Sequence, residues 1–105
     1  MSALPATMYG MNLAALHAIA DERREHWAEA GALCEVVDGP LTDKPAAWLI
    51  LSTDKFAAQL TVWVSGEAEM EWGTPERGDA RHCDIDTLED LRACVSDLED
   101  ALGLT

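Results

Sequence analysis

The side chains that most often perform catalysis are few and scattered in this sequence. His17 and His26 lie nine residues apart on a predicted helix, and this spacing turns them to opposite sides because an α-helix completes a turn every ~3.6 residues. Ser65 and Ser96 have no base close to them in the sequence. The chain also lacks a G-x-S-x-G motif, a glycine-rich phosphate loop and an H-E-x-x-H motif. We therefore predict that it has no catalytic residues.

Pairs of carboxylates are the remaining candidates for acid–base chemistry. Glu69 with Glu71, and Glu99 with Asp100, form two such pairs, but a chain of 105 residues with 20 acidic ones contains pairs by chance. Acid–base catalysis also needs a cleft that holds two such groups in different environments. A single domain of this length rarely has such a cleft, so we predict that the chain is not an enzyme and binds no cofactor.

The cysteines and His82 are the candidates for metal binding. Cys34, Cys83 and Cys94 are odd in number, widely spaced and without a C-x-x-C motif, which indicates a reducing compartment. Cys83 follows His82 directly, but a zinc site needs further ligands. The acidic loops contain no calcium-binding repeat. We therefore predict no metal site and a cytoplasmic location.

The charge of the chain restricts its partners. The 7 basic and 20 acidic residues give a formal net charge of −13. Such a surface repels nucleic-acid phosphates and anionic lipid headgroups, so we expect neither nucleic acid nor a membrane surface as a partner. A basic protein is the complementary partner, whereas solubility alone is the plainer explanation. The first 20 residues contain no Lys or Arg, so we do not expect a secretory signal.

The length of the chain fits one domain. We predict an irregular arm at residues 1–10 and a single α+β domain at residues 11–105. The first helix is expected from Leu13 to about Ala30, with Asn12 as its N-cap and Gly31 as its C-terminal stop. Its apolar residues recur at spacings of three, four and seven, so they share one face.

Strands and a second helix follow this first helix. The strands are predicted at residues 32–38, 46–52, 57–64, 67–72 and, for a short fifth strand, about 80–85. Asp86 and Glu89 match a D-x-x-E helix cap, a leucine-spaced stripe follows, and Gly103 ends the helix. The short connections favour an antiparallel meander of four or five strands. The predicted fold is a two-layer α+β domain with both helices on one face of the sheet.

The hairpin between the third and fourth strands predicts which side chains face the helices. Paired residues of a hairpin share a face, and a two-residue loop at Ser65 and Gly66 would pair Val64 with Glu67. A three-residue loop at residues 65–67 pairs only apolar residues, and Gly66 can adopt the left-handed conformation that such a loop needs. The resulting pairs are Val64 with Ala68, Val62 with Met70, and Leu60 with Trp72.

This register predicts a binding surface on the opposite face of the sheet. The residues expected there are Trp48, Ile50, Thr61, Trp63, Glu67, Glu69 and Glu71. Large aromatic side chains anchor interfaces, and carboxylates around them would pair with Lys or Arg. We predict that Trp48, Trp63, Glu67, Glu69 and Glu71 bind a partner. Alternatively, the two tryptophans cover each other, or residues 1–10 pack over them.

Residues 46–72 resemble the small acidic immunity proteins of bacterial polymorphic toxin systems, particularly the TriTu type. The resemblance rests on an apolar strand that contains Trp48 and on a following segment in which a leucine-x-valine-or-leucine-Trp pattern runs into Ser-Gly-Glu-Ala. The matching residues of that segment are Leu60, Trp63, Ser65, Gly66, Glu67 and Ala68. The amphipathic first helix and the leucine-spaced last helix also agree with the family. The resemblance implies cytoplasmic binding of a cognate toxin without catalysis.

Three functions are therefore considered. The leading one is a non-catalytic immunity protein that binds and neutralises a basic protein toxin. The second is a nucleic-acid-mimicking inhibitor of a defence protein. The acidic residues are concentrated in residues 61–105, which hold 12 acidic and 3 basic residues, whereas residues 1–60 hold 8 acidic and 4 basic ones. The third is a small acidic secretion chaperone or adaptor. The sequence leaves both a monomer and a homodimer open.

Overall fold

A computed structural model describes residues 13–40 and 43–104 of the chain. The elements in chain order are helix α1 (Ala14–Glu29), strands β1 (Leu33–Asp38), β2 (Ala46–Ser52), β3 (Ala57–Trp63), β4 (Glu67–Gly73) and β5 (Gly78–Asp84), and helix α2 (Leu88–Leu102). This order confirms the predicted α+β class. The predicted arm at residues 1–10 and the predicted N-cap Asn12 lie outside the described residues.

The strands form one antiparallel sheet in the order β1-β2-β3-β4-β5, as predicted from the short connections. Two of its turns are built alike. In the β2–β3 turn the N–H of Thr53 donates to the carbonyl of Phe56 at 2.8 Å, and the Thr53 hydroxyl accepts from the Phe56 N–H at 3.0 Å. In the β4–β5 turn the N–H of Thr74 donates to the carbonyl of Arg77 at 2.8 Å, and the Thr74 hydroxyl accepts from the Arg77 N–H at 3.4 Å. A threonine therefore fixes each turn at this end of the sheet.

Both helices cover the same face of the sheet. Alternate residues of β2 and β3 are buried against them. The core includes Leu16, Ile19 and Trp27 of α1, Leu91, Val95 and Leu98 of α2, and Leu49, Leu51, Leu60, Val62 and Met70 of the sheet. The carboxylate of Glu99 is also buried, and it accepts hydrogen bonds from the Trp27 indole N–H at 2.6 Å and from Arg23 Nε at 2.8 Å. These bonds connect α2 to α1.

The predicted register of the β3–β4 hairpin was wrong by two residues. The observed pairs are Val62 with Ala68, Leu60 with Met70, and Ala58 with Trp72. The loop consists of residues 64–66, with Gly66 at its third position and a φ of +96°. A three-residue loop places its left-handed residue last, whereas the prediction put Gly66 in the middle. Because side chains alternate with a period of two, the shift leaves every side chain of the two strands on its predicted face, whereas Val64 lies in the loop instead of pairing with Ala68.

Two predicted boundaries near α2 also differ. The N-cap is Thr87 rather than Asp86: its hydroxyl accepts from the N–H of Asp90 at 3.1 Å, and the Asp90 carboxylate accepts from the N–H of Thr87 at 3.2 Å. The hydroxyl forms this reciprocal cap one residue later than the D-x-x-E pattern suggested. β5 ends at Asp84, one residue before the predicted end, and the N–H of Ile85 still donates to the carbonyl of Gly66 at 2.7 Å. The stop at Gly103 is confirmed by its left-handed conformation.

Candidate functional site

The face of the sheet opposite the helices, which we call the outer face, carries the residues predicted to bind a partner. Its side chains from β2 to β5 include Trp48, Ile50, Gln59, Thr61, Trp63, Glu67, Glu69, Glu71, Ala80, His82 and Asp84. The five predicted binding residues, Trp48, Trp63, Glu67, Glu69 and Glu71, all lie on this face. The strand pairing therefore brings them onto one continuous surface that spans three neighbouring strands.

Trp63 lies at the end of β3, beside a basic side chain from the segment before β2. The Lys44 ammonium is 5.7 Å from the centroid of the Trp63 ring and forms an ion pair with Glu67. A cation over an aromatic ring is worth about 0.5–1 kcal/mol at an exposed site. The half-buried ring and the Glu67 carboxylate thus already bind one cation.

Trp48 lies in the middle of β2, and its ring packs against the segment that follows β1. A Cβ atom at Gly39 would be 2.9 Å from Trp48 Cζ3 and 3.0 Å from the carbonyl oxygen of Ala46, so only glycine lets the ring lie this close. Trp48 pairs with Thr61, which places it diagonally to Trp63 across the two strands. Neither tryptophan is fully buried.

His82 of β5 connects two carboxylates of the outer face. Its Nδ1 lies 2.5 Å from Glu69 Oε2, and its Nε2 lies 3.1 Å from Asp84 Oδ1. The hydrogen bond with Glu69, followed by the one with Asp84, raises the pKa of His82 above 6.5, because both ring nitrogens can donate only in the protonated imidazole. Sequence reasoning missed this contact, since only the strand register shows that Glu69 pairs with His82.

His82 and Cys83 lie on opposite faces of β5, because adjacent residues of a strand alternate. Cys83 is on the helix side, opposite Ala68. Its thiol contacts the thiol of Cys94. Burial and, to a smaller extent, this contact raise the pKa of Cys94 to about 12. Within residues 13–40 and 43–104, no group of three or more His, Cys, Asp or Glu is placed to bind a metal ion.

An open groove of about 980 Å³ lies at the end of the outer face where the β2–β3 and β4–β5 turns project. One row of paired residues forms its floor, namely Ile50, Gln59, Glu71 and Ala80. The next row towards the turns contains only small residues, namely Ser52, Ala57, Gly73 and Gly78. Because these side chains are short, the surface between the two turns is hollow. Sequence reasoning did not identify this groove, since the paired rows depend on the register.

Carboxylates outnumber basic groups on the outer face. Lys44 pairs with Glu67, while His82 is shared by Glu69 and Asp84. Glu71 forms no hydrogen bond or ion pair with any of the described residues. This face therefore combines aromatic surface with carboxylates that can accept hydrogen bonds from the basic groups of another protein.

The chain was also compared with known proteins. Residues 14–100 match the model of the family described as immunity protein TriTu. The chain belongs to the TriTu family. This match confirms the resemblance drawn from the sequence. No curated protein and no solved structure gives a significant match.

Family membership supports an immunity-type function for this TriTu protein. The matched residues include all five strands, the whole of α1 and most of α2. The matched region therefore contains the complete outer face from β2 to β5. In the part of the chain that the structure describes, no helix is long and apolar enough to cross a membrane.

Proposed function

We propose that this TriTu protein is a non-catalytic cytoplasmic immunity protein that neutralises a cognate basic protein toxin by binding it with the outer face. The observation that carries the proposal is the composition of that face, where half-buried tryptophans lie beside carboxylates. Both described helices pack on the other side of the sheet. The proposed contact residues are Trp48, Trp63, Glu67, Glu69 and Glu71.

The tryptophans are the proposed anchors of the complex. Interface hot spots are enriched in tryptophan, and their truncation costs about 2 kcal/mol or more. Trp63 is suited to this role because its ring and Glu67 already bind the Lys44 ammonium. A basic side chain of the toxin would take the place of Lys44 over this ring.

The carboxylates of β4 are proposed to orient the toxin and to speed its capture. Opposite charges on two proteins mainly raise the association rate and exclude wrong partners. Toxins that act on nucleic acids need basic surfaces to bind phosphates. An acidic outer face can cover such a surface and prevent the toxin from reaching its substrate.

The proposal is tested with the full chain and the C-terminal domain of the protein encoded by the adjacent gene, which we expect to be the toxin. We expect the wild-type chain to bind this domain in titration calorimetry and to protect cells that express it. Trp63→Ala is expected to weaken binding by about 30-fold, the equivalent of about 2 kcal/mol. Its thermal unfolding should stay close to that of the wild type, because Trp63 is only half-buried.

Leu88→Ala is the matched control, since Leu88 is an exposed apolar residue (46%) at the start of α2. It should bind the toxin like the wild type. Failure of the wild-type chain to bind the toxin would contradict the proposed function. If the chain instead displaced DNA from a DNA-binding enzyme, nucleic-acid mimicry would be favoured.

A further inference from the structure

We propose that the groove at the end of the outer face binds an arginine side chain of the toxin. This inference rests on the proposed function and adds a second contact, at the opposite end of β3 from Trp63. It names the chemical group that the groove recognises, which is a guanidinium with its aliphatic stem. The argument uses the floor, the walls and the charge of the groove.

The floor offers two neighbouring hydrogen-bond acceptors. Gln59 and Glu71 are paired across β3 and β4. The amide nitrogen of Gln59 donates to the Thr61 hydroxyl at 3.1 Å, so its carbonyl oxygen remains available as an acceptor. Glu71 forms no hydrogen bond or ion pair with the described residues. A guanidinium has five N–H donors in a planar fork, which lets it donate to both residues at once.

The rest of the lining is suited to the stem of an arginine. Ile50 lies beside Gln59 on the floor, and Ala57 and Ala80 add further apolar surface on the same face. Arginine buries its methylene groups against such apolar surface. Lysine lacks the planar fork of donors, so it matches the paired acceptors Gln59 and Glu71 less well.

The charge of the groove favours a cation. Its charged lining residues on the outer side are Asp54, Lys55 and Glu71, so acidic groups exceed basic ones by two to one. The groove is also preformed, because the hydrogen bonds of Thr53 and Thr74 fix the two turns that border it. A preformed site loses little conformational entropy when it binds.

The test measures affinity for the toxin domain by titration calorimetry with two variants of the groove. Glu71→Gln removes the charge of the floor but keeps its shape, and Ala80→Leu fills the groove but keeps its charge. We expect each to weaken binding by about 10-fold, as for the loss of a hydrogen bond to a charged group. Glu25→Gln makes the same charge change on the exposed side of α1 and should leave the affinity unchanged.

A double-mutant cycle then identifies the arginine. One arginine-to-alanine substitution in the toxin should cost much less when combined with Glu71→Gln than when made alone. If the wild type binds the toxin and neither groove variant weakens it, the groove inference fails while the proposed function stands. An effect of Glu71→Gln without an effect of Ala80→Leu, or the absence of any coupled arginine, also contradicts the inference. If the wild type does not bind at all, the proposed function itself fails.

Discussion

At the scale of single residues, His82 shows how carboxylates of the outer face favour the protonated form of a neighbouring side chain. The imidazole lies between the carboxylates of Glu69 and Asp84, and each ring nitrogen donates to one of them when the ring is protonated. The folded state therefore favours the protonated form, which raises the pKa of His82 above 6.5, mainly through the hydrogen bond with Glu69. The ring neutralises part of the face only while it remains protonated.

The pKa of His82 can be measured from its ring protons by NMR. We expect a midpoint above 6.5 in the wild type and a lower one in Glu69→Gln, because that variant removes the main partner. Glu71→Gln is the control, since Glu71 does not contact His82. Because the pKa is raised on folding, the stability that His82 adds is complete below pH 6.5 and is lost as the pH rises through the folded-state pKa. Equal midpoints in the wild type and Glu69→Gln would contradict this assignment.

At the scale of elements, much of the fold could be predicted because it depends on local patterns. The bounds of β2 were predicted as they are found, and the alternation of apolar residues assigned Trp48 and Trp63 to the outer face. The register of the β3–β4 hairpin could not be predicted as reliably. A shift of two residues preserves every face, so burial patterns do not distinguish the two registers. The groove was missed for the same reason, since its floor is a row of paired residues.

The contact between α1 and α2 depends on a residue whose role a local pattern cannot show. Glu99 was one member of a carboxylate pair that arises by chance in so acidic a chain, yet it is 3% exposed. Its partner Trp27 is 72 residues away in the sequence. A buried carboxylate is stable only when it is paired and hydrogen-bonded, and Arg23 completes that pairing.

Glu99→Ala is expected to lower the free energy of unfolding by about 2 kcal/mol, since it leaves the indole N–H of Trp27 buried without an acceptor. We place the loss below the value for breaking a fully buried pair, because Arg23 is 37% exposed and regains contact with water. Urea unfolding followed by tryptophan fluorescence provides the measurement. Asp100→Ala is the control, because Asp100 is the exposed neighbour of Glu99. Similar unfolding midpoints for the two variants would contradict the role assigned to Glu99.

At the scale of the whole molecule, the domain has two chemically different sides. Ion pairs connect the helices to each other and to the sheet, as between Arg92 and Glu22 and between Arg81 and Asp97. On the outer face, Glu71 has no such partner among the described residues. The net charge of −13 attracts a basic protein from a distance, while the outer face determines which side of the domain it meets.

This difference predicts how salt affects the capture of the toxin. Added salt screens charges beyond about 10 Å at 0.1 M, so the association rate should fall steeply with ionic strength while the dissociation rate changes little. Stopped-flow measurements can separate the effect of the net charge from that of the outer-face carboxylates. They compare the wild type with two variants, Glu69→Gln/Glu71→Gln on the outer face and Glu25→Gln/Glu29→Gln on α1. All four carboxylates are exposed or half-buried, and both variants change the net charge equally. Only the outer-face variant should show a clearly weaker salt dependence, because its carboxylates meet the toxin directly. Equal salt dependence in the two variants would mean that the toxin approaches another side of the domain.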